Sequence, residues 1–136
     1  MALSTVVKLL DSHGTSLIET KARHWDADAV RRELENAHWV DVSQDPGFSD
    51  FVTDLDPAAA LRLHECFRGG YLRWIALYED LAGSYRSKGE LELADDHERV
   101  GKDDKVQLAV LAEIVRRAGA EGLRVRILLE EWSSGY

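Results

Sequence analysis

Five residues in the second half of the chain could do chemistry together: Tyr71, Trp74, Tyr78, His97 and Asp104. Tyr71, Trp74 and Tyr78 recur at intervals of three and four, which sets them on one face of a helix. His97 and Asp104 share a face of the next helical stretch, where both interrupt an otherwise apolar stripe. An ionised carboxylate with no partner inside a helix seam costs several kcal/mol. Asp104 must therefore accept a hydrogen bond, reach water or carry a proton, and the hydroxyls of Tyr71 and Tyr78 are donors for Asp104 and His97. Polar pairs of this kind can lock a helix register, as a buried polar residue does in a coiled coil. They can also line a ligand site in which an acid and a base meet. We take these five as the candidate ligand-binding set.

The elements that must position them follow from periodicity. Asp56-Pro57 is an N-cap followed by a proline in the first helical turn. From there the stripe Leu63, Phe67, Gly70, Tyr71, Trp74, Tyr78, Leu81, Tyr85 marks a long helix that ends at Ser87-Lys88-Gly89. Gly69-Gly70 weakens its middle and allows a kink. A second helix, from about Glu90 to Ala118, carries Leu91, Ala94, His97, Gly101, Asp104, Leu108, Leu111, Val115 and Ala118. A short turn makes the two antiparallel. With the turn near Lys88, Trp74 faces Gly101, Phe67 faces Leu108, Tyr78 lies near His97 and Tyr71 near Asp104.

Around this hairpin, residues 57–118, the pattern predicts strands. Leu3–Leu10 and Thr15–Lys21, joined by Asp11-Ser12-His13-Gly14, read as a β-hairpin. Asp26 caps a short helix with Val30, Leu34 and Ala37 on its apolar face, ending near Asn36. His38–Val42 alternates as a third strand, Ser43–Ser49 is a loop containing Asp45-Pro46-Gly47, and Phe51–Leu55 reads as a short edge strand. Leu123–Trp132 is the clearest strand, with Leu123, Val125, Ile127 and Leu129 to one side. The order β-β-α-β-(β)-α-α-β predicts an α+β fold, a mostly antiparallel sheet packed against the long hairpin and one short helix, within a single domain spanning residues 1–136. Leu81-Ala82, Tyr85, Gly89 and Ala94 resemble the intercalation pattern of a tetratricopeptide repeat. They occur once, and a lone repeat of that family cannot bury its own faces. Ordinary hairpin packing accounts for them, and nothing is carried over from the family.

Other chemistries find little support. His24, Asp26 and Asp28 sit at a loop-to-helix start, where capping explains the aspartates. Asp95, Asp96 and His97 point in different directions on a helix, and His64 and Cys66 do not share a face. No H-E-x-x-H, C-x-x-C, G-x-S-x-G or phosphate-binding glycine loop occurs, so neither a metal nor a cofactor is expected. Cys66, mid-helix, reads as packing, and a single cysteine allows no intrachain disulfide. The net charge of −8 opposes nucleic acid and anionic membranes. Arg31-Arg32, Arg116-Arg117 and Arg124/Arg126 read as helix-dipole partners and a solvated strand face. No apolar run reaches the roughly 18 residues of a membrane span, and the N-terminus lacks a signal pattern, so a cytoplasmic setting is expected. With 45% hydrophobic and 31% charged residues the chain has the balance of a folded protein.

Surplus apolar positions remain off the seam: Leu61, Leu72, Ile75, Ala76 and Leu77 on the first long helix, and Val100, Val106, Val110 and Ile114 on the second. A sheet buries some, and a partner or a second copy of the chain could bury the rest. The sequence therefore favours a non-enzymatic protein-interaction module, an adaptor, inhibitor or regulatory subunit. The alternative is a small-ligand-binding protein or enzyme with its site between hairpin and sheet, lined by the five residues above.

Overall fold

A computed structural model describes residues 2–44 and 48–132. The elements are β1 (Ala2–Leu10), β2 (Ser16–Lys21), α1 (Ala27–Glu33), β3 (Val40–Asp41), β4 (Phe48–Leu55), α2 (Pro57–Ser87), α3 (Leu91–Glu121) and β5 (Val125–Trp132). The fold is α+β: one antiparallel sheet in the order β2-β1-β5-β4-β3, with α2 and α3 forming the helical hairpin. The hairpin connects β4 to β5, which are sheet neighbours.

Alternation sets the inner sheet face. Val7 pairs with Ile127, Thr5 with Leu129 and Leu9 with Val125, and all six are buried. Leu111, Ile114 and Ala118 of α3, with Leu63 and Tyr71 of α2, complete one core with Trp25 and Val30. Asp56 caps α2 by accepting the Ala59 N–H at 2.8 Å, with Pro57 in the first turn. At its far end Gly89 takes φ 77°, its N–H donates to the Arg86 carbonyl at 3.1 Å, and the Glu90 N–H donates to the Tyr85 carbonyl at 2.9 Å. This left-handed cap reverses the chain. α2 runs through Gly69-Gly70 as one helix.

Three local expectations change. β4 is eight residues long and lies between β5 and β3, so it is not an edge strand. Its polar start, Ser49-Asp50, has weak strand propensity, yet it pairs with Glu131 and Glu130, and ladder hydrogen bonds override propensity there. β3 shrinks to Val40–Asp41, and the Trp39 indole N–H donates to the Leu34 carbonyl instead. α1 stops at Glu33. The turn expected at Asp45-Pro46-Gly47 lies outside the described residues.

The hairpin register also differs. A Cβ on Gly101 would lie 3.3 Å from the Tyr78 Cβ, so Tyr78, not Trp74, covers Gly101. The connection is Lys88–Glu90 and α3 begins at Leu91. Exchanging Trp74 for Tyr78 opposite Gly101 moves the facing positions there by four residues, about one helical turn.

Each hairpin helix has 31 residues and is about 46 Å long, against roughly 30 Å for the longest strand. The hairpin therefore outreaches the sheet. Its base is the core described above. Beyond Ile75 and Asp104 the hairpin is an arm in which the buried residues are small: Ala82, Ala94 and Gly101.

Candidate functional site: a cleft at the root of the arm

Asp104 lies where base becomes arm, and it is 1% exposed. Two donors meet its carboxylate. Arg23 Nη2 bonds to Oδ1, and His24 Nε2 lies 2.8 Å from Oδ2. A carboxylate only accepts, so Nε2 carries the proton of that bond. Arg23 and His24 belong to the segment between β2 and α1. The pairing thus ties that segment to α3 and solves the problem posed by a carboxylate in the helix seam.

Aromatic rings fix His24 from two sides. The Trp74 indole stacks on it at 5.3 Å between ring centroids and 8° between planes. Tyr71 meets it edge-on at 4.8 Å and 80°. The Tyr71 hydroxyl donates to Gln107 Oε1, which also accepts the Arg23 backbone N–H at 2.9 Å. That backbone donor fixes the amide orientation, because only the oxygen of Gln107 can accept. Burial pushes the Tyr71 phenol up to about 12, so it remains a donor at neutral pH.

Trp74 is 43% exposed despite its stacking. It forms a wall of a cleft of about 500 Å³, together with Lys21, Arg23, His24, Asp26 and Gln107. Trp25 also lines it. The Trp25 indole N–H is buried and has no acceptor among the described residues.

Of the five residues expected from sequence, Tyr71, Trp74 and Asp104 come together around His24. Only Trp74 of the five lines the cleft itself: Tyr71 and Asp104 lie behind it, holding Gln107 and His24, and Tyr78 and His97 sit on the arm. Tyr78 covers Gly101, and its ring lies 5.8 Å from that of Trp74. His97 lies near Tyr78 as expected, with ring centroids 6.1 Å apart, but its Nδ1 donates to the Leu93 carbonyl at 2.8 Å. It borders a smaller hollow of about 260 Å³ on the arm, with Ala82, Gly101 and Arg86.

Arg23, Gln107 and Lys21 were not expected at the site, and His24 stood out only beside two capping aspartates. Gln107 had a signal: it follows Asp104 by three residues and so shares its face. For His24 no local signal exists, since 80 residues separate it from its partner.

Chemically the arrangement suits binding better than covalent catalysis. The Thr5 hydroxyl donates to the Trp25 carbonyl at 2.9 Å, and among the described residues no hydroxyl or thiol is hydrogen-bonded to His24. Cys66 lies elsewhere, 3.9 Å from Glu33 Oε2, and burial together with that carboxylate pushes its thiol up, away from the reactive thiolate. Among the described residues no group of three or more His, Cys, Asp or Glu could hold a metal ion. No described helix is long and apolar enough to cross a membrane.

Comparison of the chain with protein-family models, curated protein sequences and solved structures returns no match.

Proposed function

We propose that this protein binds a small ligand in the cleft between the β2–α1 segment and the root of the arm. The observation that carries the reading is the half-exposed Trp74, clamped on a histidine that is itself bonded to a buried carboxylate. A large aromatic surface left facing solvent is costly in a monomer, and one held rigid beside polar groups loses little further entropy when a ligand lands on it. The cleft volume falls in the range of small-molecule sites, roughly 300–1,000 Å³. A cytoplasmic setting accords with the single cysteine.

A saturation-transfer NMR screen of soluble fragments tests this. Fragments should bind the native protein, and binding should vanish in Trp74→Ala but persist in Leu77→Ser on the arm. Binding unaffected by Trp74→Ala would refute the assignment.

A second reading, a protein-interaction module, is favoured by a different observation. Leu77, Leu91 and Leu93 are exposed on the arm, Leu91 at 59%. Leu81 extends the stripe that carries Phe67 and Trp74 past the sheet, and Leu77 lies beside it, off the seam. Light scattering over a concentration series reads this directly. A mass of two chains that reverts to one in Leu77→Ser/Leu93→Ser supports self-association, and a single chain at all concentrations removes a homodimer.

A further inference from the structure

The polar groups around the cleft are unevenly used, and the imbalance points to a ligand class. Both carboxylates are already met by donors. Asp104 is held by Arg23 and His24, and Asp26 caps α1, accepting the Ala29 N–H at 3.0 Å. What remains unengaged is donor capacity. Arg23 commits one terminal nitrogen to Asp104, keeps the rest of its fork, and its side chain is 45% exposed. Gln107 spends its oxygen twice and leaves its amide NH₂ uncommitted. Donors without acceptors call for a ligand that accepts only, and a carboxylate or phosphate oxygen is such a group. Beside them the indole of Trp74 has one face on His24 and is 43% exposed, a platform for a flat ring.

We infer that the ligand is a planar ring carrying a small oxyanion, the ring lying on Trp74 and the anion held between Arg23 and Gln107. This rests on the cleft being a ligand site, and the test keeps the two apart. The probes are 2-naphthoate, its neutral counterpart 2-naphthamide and inorganic phosphate, each titrated into the full chain while the amide spectrum is followed. The inference predicts saturable shifts at His24 and the Trp74 indole with naphthoate, about tenfold tighter than with naphthamide or phosphate. Arg23→Gln, which removes the charge and keeps an amide donor for Asp104, should erase most of that preference while the native amide spectrum is retained. Equal affinity for acid and amide overturns the anion while leaving the cleft as a site. Phosphate binding as tightly as naphthoate overturns the ring. No shift at His24 or Trp74 with any probe overturns the inference whole, and the fragment screen then decides separately whether the cleft binds anything.

Discussion

The base of the hairpin and its arm are continuous stretches of the same two helices, yet they are packed by different means. Over the sheet, α2 and α3 bury Leu63, Leu111, Ile114 and Ala118 against Val7, Ile127 and Leu129. Beyond it the seam closes on Ala82, Ala94 and Gly101, while Leu77 and Leu93 stay exposed. Large side chains need a third layer to cover them. Small ones let two helices approach closely without one, at the expense of buried apolar area. Asp104 sits at the frontier, and the cleft opens there because the sheet's cover ends where the arm begins. Where burial stops, a fold gains room for a site.

The largest effect that should distinguish the two regions is loss of the frontier carboxylate. Asp104→Ala strands His24 beside an apolar ring pair and removes the tie to α3. We expect a cost of about 3 kcal/mol, discounted for the exposure of Arg23, and a melting temperature lower by roughly 10 °C. On the arm, Asp96 pairs with Arg99 at 2.8 Å in solvent, and Asp96→Ala should change stability by less than about 0.5 kcal/mol. Equal effects from the two would erase the distinction between base and arm.

Next comes crowding at the one tight crossing of the arm. Gly101→Leu must push Tyr78 away from its 3.3 Å approach and should cost about 1–3 kcal/mol by thermal melting. Gly83, exposed on α2, has open space where a Cβ would go. Gly83→Ala should therefore raise stability by up to about 1 kcal/mol through helix propensity alone.

The base also carries a pH signature. His64 is buried, its Nδ1 has no partner among the described residues, and burial, with Arg68 adding to it, pushes its pKa below the ordinary histidine value. The unfolded chain then binds the proton more readily than the folded one. Stability should be constant above the usual histidine value, about 6.5, and fall as pH drops through it, levelling only below the depressed folded value. Denaturant melts between pH 8 and 5 should show this loss, and His64→Leu should flatten it. At the alkaline end the raised Tyr71 pKa works with the opposite sign. Stability is lost as pH climbs from about 10 toward about 12, and Tyr71→Phe removes that slope.

The helices and most strands are legible in the sequence because their signals are local. Stripe spacing, the Asp56-Pro57 start, the Gly89 stop and the alternation of Val125–Leu129 each read within a few residues. The register is only half legible, because an error in placing the turn counts twice across the seam, and Trp74 was assigned the glycine that Tyr78 covers. The site is legible as a problem but not as its solution. A buried Asp104 demands donors, and nothing local to α3 says that they arrive on the β2–α1 segment. Tyr71 was the nearest donor by register, yet it turns to Gln107.

The most direct test of the account is a residue-resolved amide and indole spectrum of the chain titrated with a fragment found to bind. The account predicts shifts at Arg23, His24 and the Trp74 indole, with the amides of Leu91, Leu93 and Ala94 unmoved. Shifts confined to the arm, with the Trp74 indole and His24 unchanged, would contradict it.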